Sequence, residues 1–579
     1  MTAGRGLAVR ACRLLTLAGA ALLLSAAGAG CTPSETREEA LAAHEAASSG
    51  GPALVDVAAE VGLDFRHGAF RRGVSADAPA MMGGGLCWLD YDGDGWLDLF
   101  VVDGYAQNER DDWVAAGGLP TTRLFRNEEG RFVDVTAETD AGLAVRGQGC
   151  VAADLDRDGH PDLYVTGADR STLLWNENGR RLAEAPEETG VGVYGWSAGA
   201  AAGDLDGDGW TDLVVTGYVD QANRIPEATL GFPNTYRGRR DLLFLSAGRS
   251  DDGRVAFREV GREAGLEVAD FGYGLGVLLD DFDRDRDLDV HVANDTNPNR
   301  LYENVPWPGG AEADPAGLGF RFEERAAAAG VADPGSGMGI SAGDYDGDGR
   351  ADLFVSNSRG QVHAVYRSDT PDEKDASFTD VRADLGPDFG RSTGWGVSWV
   401  DLDLDTDLDL VLVNGAVPVT DLASDAEPVQ AYRNLAAEGE PGRFEEVGDE
   451  MGLDAVGPLL ARGSAAADYD NDGDVDIAVL AIGGPLVLLE NRVAGGNRLS
   501  MELEGSPPGA EVSAVLSGGR VLRRTLHAGS SYLSSEDPRF HFGLGEAKAV
   551  RELVVRWPDG SVTRLANVRA NRLLAVEAP

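Results

Sequence analysis

A nine-residue acidic loop recurs seven times along the chain, and its spacing constrains the fold more than any other feature. The first copy, Asp90-Tyr91-Asp92-Gly93-Asp94-Gly95-Trp96-Leu97-Asp98, sets carboxylates at positions 1, 3, 5 and 9, glycine at 6 and a backbone carbonyl at 7. A hard dication takes six to eight oxygens at about 2.3–2.6 Å, and this spacing reproduces the first three quarters of an EF-hand loop. An EF-hand would continue into a twelfth-position Glu and an amphipathic helix. Here Leu99-Phe100-Val101-Val102 follows, a strand composition. The loop is therefore read as a calcium ligand set joining two strands.

The remaining copies carry their carboxylates at Asp154, Asp156, Asp158 and Asp162; Asp204, Asp206, Asp208 and Asp212; Asp281, Asp283, Asp285 and Asp289; Asp344, Asp346, Asp348 and Asp352; Asp401, Asp403, Asp405 and Asp409; and Asp468, Asp470, Asp472 and Asp476. Position 7, which contributes its carbonyl, is Trp96, His160, Trp210, Asp287, Arg350, Asp407 and Asp474 in turn. Glycine holds position 6 except at Arg286 and Thr406, where a turn easiest at positive φ predicts strained, weaker sites. One Asp-rich stretch alone is as well read as a solvated turn. Seven copies spaced 50 to 77 residues apart are the mark of an array or propeller, with up to seven calcium ions.

Around each loop a longer unit repeats. Before it lies a glycine-rich strand, as in Gly195-Trp196-Ser197-Ala198-Gly199 or Gly394-Trp395-Gly396. Such glycines imply another backbone close by, as at a propeller's crowded centre. After the loop come an apolar strand, a strand ending in Asn or a stand-in (Asn127, Asn176, Asn304, Asn434, Asn491), and an aromatic outer strand opening with Phe132, Phe257, Phe378 or Phe444. Four short strands per unit make one propeller blade. Val55-Asp56-Val57 matches the outer-strand part of the unit and Leu486 to Asn491 the part just before it, so the two ends of the repeated region can share a blade and close the ring.

The chain has 97 acidic and 50 basic residues, a formal charge of −47, which argues against nucleic acid and anionic membrane surfaces as partners. Much of the acidity lies in the loops. Residues 1–30 read as a signal peptide, with Arg5, Arg10 and Arg13 before an apolar run from Leu14 to Leu24 that is too short for a comfortable membrane span. Ala29-Gly30-Cys31 resembles a bacterial lipobox with Cys31 as the lipidated residue, although Gly28 stands where Leu is usual; ordinary cleavage after Ala29 is the competing reading. Residues 31–51 look like a flexible tether, 52–495 like the propeller and 497–579 like a separate small domain. Cys87 and Cys150 precede their loops by three and four residues. Strand alternation then points them to opposite faces of neighbouring blades, which predicts buried free thiols and no disulfide.

The Asp loops with flanking glycine and aromatic strands resemble FG-GAP/VCBS repeats, the calcium-bearing blades of integrin α-chain propellers. That resemblance implies a seven-bladed β-propeller, with which seven loops agree. From Asn497 the composition turns basic, at Arg520, Arg523, Arg524, Arg539, Lys548, Arg551, Arg556 and Arg564, and alternation predicts a small antiparallel β-domain. The run His527 to Gly545, followed by Val555-Arg556-Trp557-Pro558-Asp559-Gly560, resembles the ASPIC/UnbV domain. Its place behind FG-GAP repeats is the arrangement of the cartilage acidic protein family and its bacterial relatives. The loop Gly505-Ser506-Pro507-Pro508-Gly509 is shorter than that family's usual one.

None of the seven histidines forms an HxxxH or HxH pattern or joins a nucleophile elbow. His527 and His541, with Ser530, Ser531, Tyr532 and Asp537, are the one cluster tempting as chemistry, and such a local set is commonly turn and capping hydrogen bonding. The stretch 226–241, with Arg237, Arg239 and Arg240 among aromatics, is either a partner contact or a loop salt-bridged to acidic blades. No catalytic residue is assigned. The leading expectation is an exported calcium-binding propeller, an outer-membrane or cell-surface lipoprotein or else periplasmic or secreted, that binds a protein or glycan, touching membrane only through the N-terminal lipid. The alternative is an extracytoplasmic polysaccharide lyase or hydrolase with its site in the propeller mouth; a third reading is an assembly component docked through residues 497–579.

Overall fold

The structure, a computed structural model, describes residues 53–579 apart from 251–254, 267–271, 372–374 and 494. The signal peptide, the tether and Cys31 lie outside the described residues.

Seven antiparallel sheets form the blades, numbered here by their acidic loops. Blade 1 runs from Leu86–Leu89 at the centre through Asp98–Val101 and Arg123–Asn127 to Phe132–Asp134 at the rim. Blades 3 to 6 repeat this order, and blade 2 carries a fifth strand, Val193–Tyr194. Blade 7 takes three strands from the end of the repeat region and its outermost from the beginning: Leu54–Asp56 pairs antiparallel with Leu486–Asn491, Leu54 opposite Asn491. The ring is thus closed within one sheet, as the matching ends predicted, and no blade is left with an open seam. The inner strands of successive blades touch all the way round, blade 7 against blade 1 included.

The inner strands converge tightly enough to require glycine. A Cβ on Gly339 would lie 2.1 Å from the carbonyl oxygen of Trp395 in the next blade. Between blades the contact is apolar and face to face. One cluster joins Cys87, Leu89, Phe100 and Leu124 of blade 1 to Cys150, Leu163, Val165 and Leu174 of blade 2. The rim phenylalanines pack backwards, Phe132 on Tyr469 of blade 7 at 5.8 Å and Phe444 on Tyr345 of blade 5 at 5.7 Å between ring centroids.

This stacking corrects the cysteine expectation. Cys87 and Cys150 are joined by a disulfide, with Cα atoms 6.2 Å apart. Alternation does place them on opposite faces of their own sheets. In stacked blades, however, the surfaces that meet are opposite faces of neighbours, so alternation brings the sulfurs together.

The C-terminal domain has two sheets packed on a common apolar core. One is antiparallel, with Glu511–Val515 and Ala549–Arg556 at its middle. The other centres on Asn497–Leu503, paired antiparallel with Phe540–Gly545 and, in a departure from the all-antiparallel pattern, parallel with Leu573–Val576. The domain sits on the face of the ring that carries the acidic loops and sends residues 528–537 into the centre. There the loop meets the inner strands of six blades. Carbonyls of Ala528, Ser531, Leu533 and Ser535 accept from Ala202, Ile340, Cys150 and Trp88, the Ser531 hydroxyl accepts from Val397 N–H, and Asp537 N–H donates to Ala466 O, all at 2.9–3.1 Å. Inner-strand amides that would face an empty shaft are satisfied this way.

Candidate metal centres

Each loop folds by bonding its own backbone to its carboxylates. In blade 1, Asp90 accepts the N–H groups of Gly93, Asp94 and Gly95 at 2.7–3.1 Å, and Asp94 accepts that of Trp96 at 2.8 Å. The position-5 to position-7 bond recurs at His160, Trp210, Asp287, Arg350, Asp407 and Asp474. Position 6 takes positive φ throughout, +86° at Gly95 and also +87° at Arg286 and +94° at Thr406. The strain foreseen for those two residues is present, and for β-branched Thr406 it is severe.

The carboxylate at position 9 is buried in every blade, at most 2% exposed. It ties the loop to the sheet. Asp98 accepts N–H groups from Tyr91 in the loop and Asn127 at the end of the third strand, at 2.9 and 2.8 Å. The same pair of bonds is made by Asp162, Asp212, Asp289, Asp352, Asp409 and Asp476. Burial pushes all seven carboxyls well above the usual range. Burial also raises Asp90, Asp281 and Asp344 to about 6, and Asp401 to about 8 against the pull of Arg524.

The terminal asparagines have a second task that the sequence pattern did not disclose. Asn127 Nδ2 donates to the carbonyl of Tyr469, position 2 of the blade 7 loop, at 2.8 Å. Asn176, Asn304, Asn434 and Asn491 reach Tyr91, Leu205, Tyr345 and Leu402 likewise. Five loops, those of blades 1, 3, 5, 6 and 7, are thereby fixed from the blade that follows.

Oxygens converge in the loops. Carboxylate oxygens of Asp90, Asp92 and Asp94 lie within 4.8 Å of one another, as do those of Asp154, Asp156 and Asp162; Asp204, Asp206 and Asp212; Asp281, Asp283 and Asp285; and Asp344, Asp346 and Asp348, with two further groups. Single buried oxygens of Asp92, Asp281, Asp344, Asp403 and Asp468 have no hydrogen-bond donor. Like charges gathered around unpartnered acceptors are a donor set that fits a hard cation. Several loops also meet guanidinium groups: Arg249 lies 3.3 Å from Asp156, Arg433 3.4 Å from Asp403, and Arg350 and Arg520 pair with Asp348 and Asp407.

The residues tempting as chemistry are dispersed into the plug and its base. His527 Nε2 lies 2.9 Å from Asp280, and Tyr532 is wholly buried, its hydroxyl donating to Met82 O at 2.8 Å and its ring edge on Trp395 at 4.8 Å. His541 lies 2.8 Å from Asp537 and 3.3 Å from the hydroxyl of Ser500. The line Ser500, His541, Asp537 has the order of a nucleophile relay, but His541 and Asp537 line a cavity of about 140 Å³ that Ser500 does not line. The space beside Ser500 is about 20 Å³, enough for one water. Asp537 is also held by Arg539 at 2.7 Å. Burial raises the Asp537 carboxyl, but Arg539 and His541 outweigh it and keep it well below the usual range. The ring's centre, where the enzyme reading placed a cleft, is occupied by residues 528–537.

In the basic stretch, Arg240 makes two bonds to Glu259 at 2.8 and 2.7 Å and Arg239 donates to Tyr194 O at 2.7 Å. These internal pairings account for two of its three arginines. Part of the stretch lies in a hairpin, Val219–Arg224 with Tyr236–Gly238, that among the described residues forms a two-stranded sheet of its own.

The FG-GAP-like repeat family matches residues 90–165, 154–215, 281–355 and 344–412, and the ASPIC and UnbV family matches residues 505–579. Cartilage acidic protein 1 of Mus musculus is 25% identical over 349 residues, covering 56% of this chain and 48% of the relative. The Homo sapiens protein is 26% identical over 340 residues, covering 56% and 47%. The chain spans about half the length of the curated relatives it matches. Among solved structures, BBS1N from its complex with ARL6DN, soaked with lead, superposes with a TM-score of 0.35 at 10% identity, covering 74% of this chain and 97% of that one. An Agrocybe aegerita lectin, solved for its recognition of non-reducing terminal N-acetylglucosamine, gives 0.36 at 14% identity, covering 70% and 86%. The chain belongs to the proteins that join FG-GAP-like repeats to a C-terminal ASPIC and UnbV domain, the architecture of cartilage acidic protein 1, with which it is homologous.

Proposed function

We propose that this chain is an exported, surface-anchored β-propeller that binds calcium in its acidic loops and presents the ring to a protein or glycan partner. The observation that carries the reading is the recurring acidic loop, in which carboxylate oxygens converge and buried oxygens of Asp92, Asp281, Asp344, Asp403 and Asp468 have no donor. The donors are all oxygen and sized for a hard cation, which favours calcium over zinc. Bound calcium supplies positive charge and coordination among groups that otherwise repel. The chain's own part is to hold the loops ready, through the position-9 carboxylates and the asparagine latches.

Export is supported by the N-terminal signal pattern and by the Cys87–Cys150 disulfide, a bond that persists in oxidising compartments. For a partner, the surface this reading favours carries Tyr194, Leu230 and Phe232, exposed by 75%, 64% and 41% around the self-paired hairpin. Clustered apolar exposure marks contact surfaces.

Native mass spectrometry of the mature chain tests the metal reading, with up to seven calcium ions expected. A chain that takes up none at millimolar calcium overturns it. A glycan and surface-protein binding screen, run with and without Leu230→Ser and Phe232→Ser, tests the partner surface.

A further inference from the structure

The seven loops do not share one environment. In blades 1 to 3 the tips are open: Asp94, Asp158, Asp206 and Asp208 are exposed. In blades 6 and 7 they are closed, with Asp401 6%, Asp407 2%, Asp468 3%, Asp472 4% and Asp474 1% exposed. The cover is the C-terminal domain. Its backbone lies directly on the blade 6 loop, since a Cβ on Gly543 would stand 2.0 Å from Asp401 Oδ2 and Gly545 N–H donates to Leu404 O at 2.9 Å. Arg520 pairs with Asp407 and donates to Thr406 O at 3.3 Å. On blade 7, Arg498 donates to Asp472 O and lies against Gly473, while Arg539 donates to Asn471 Oδ1 at 2.6 Å and Asp468 O at 2.5 Å.

We infer that five of the seven loops form two classes of cation site: those of blades 1 to 3 exchange directly with solvent, and those of blades 6 and 7 are sealed beneath the C-terminal domain, which must lift before an ion enters or leaves. The inference rests on the calcium reading above. Its physical basis is that a buried loop exchanges through local opening, whose frequency is set by the contacts broken. Those contacts are the arginine bonds to loop carbonyls and the strand Phe540–Gly545 over Asp401. Arg498 and Arg520 are latches on the lid; the cation is held by the aspartates beneath. Ions in blades 6 and 7 are thus retained through chelation that strips blades 1 to 3.

The full mature chain, loaded with calcium and freed of excess ion, is mixed in a stopped-flow instrument with a large excess of a fluorescent chelator. Release in two phases is expected, the slower by about a hundredfold or more, with the ions of blades 1 to 3 in the fast phase. Arg498→Ala with Arg520→Ala accelerates the slow phase at least tenfold and leaves the fast phase and the total ion count unchanged. Asp92→Asn removes one ion from the fast phase alone. Release in a single phase, a slow phase indifferent to both arginines, or an Asp92→Asn deficit in the slow phase overturns the two-class assignment while leaving calcium binding intact. No released calcium in either phase is the separate result that overturns the calcium reading itself.

Discussion

The side-chain amide of Asn491 donates to the carbonyl of Leu402 at 2.9 Å, joining the third strand of blade 7 to the acidic loop of blade 6. Both groups are buried. Asn491→Ala leaves that carbonyl without its partner and costs about 1–3 kcal/mol, to be read from urea denaturation. Asn491→Asp loses the donor as well and adds a charge beside Asp476, so it destabilises more.

On the proposed calcium reading, chelation removes a ligand that binds only the folded loops. At calcium about a hundredfold above its dissociation constant, each site adds roughly 2.7 kcal/mol. Excess EDTA is therefore expected to lower the melting temperature by ten degrees or more, and magnesium to restore less than calcium. An unchanged melting curve in EDTA contradicts the structural role of the ion.

Thr406 holds φ at +94° where five other loops have glycine. Thr406→Gly relieves the strain and is expected to stabilise by about 1–2 kcal/mol in calcium. Gly95→Val introduces the same strain in blade 1 and destabilises by a similar amount.

Asp103 is buried and accepts N–H groups from Gly68 and Gly104 at 2.7 and 2.8 Å on one oxygen. Burial pushes its carboxyl up to about 7, against the pull of those two amides and Arg123. The unfolded carboxyl ionises near 4, so between about pH 4 and 7 the folded state binds more protons. Stability then falls as pH rises through that window, and the loss is complete above it. Asp103→Asn keeps the acceptor without the charge. Its melting temperature is expected to match the parent at pH 4.5 and exceed it at pH 8, by roughly 2–4 kcal/mol in stability.

The disulfide predicts that alkylation of the unfolded, unreduced chain leaves Cys87 and Cys150 unlabelled. Cys87→Ser with Cys150→Ser is expected to cost roughly 2–4 kcal/mol while the blades still form.

The blades were legible because their constraints are local. Carboxylate spacing, glycine before the loop and Phe at the rim each follow from one strand's own chemistry, and even ring closure could be inferred from Val55-Asp56-Val57. What escaped depended on a second element. The latch from Asn127 to Tyr469 spans the closure of the ring, and the Cys87–Cys150 bond needed the knowledge that facing blades present opposite sides. Charge segregation was the available hint that the C-terminal domain covers acidic loops, with Arg498, Arg520 and Arg539 in a basic region of a chain of net charge −47. It could signal an attraction but not which loops are covered. The plug 528–537 gave no sequence sign of entering the ring.

Residues 528–537 also set an order of assembly. They complete the backbone pairing of six blades, yet they are synthesised after all of them. Any ring formed before they arrive is a wheel without its axle, the inner amides of those blades open to water. The ring's centre is completed only by a segment that follows all seven blades in the chain.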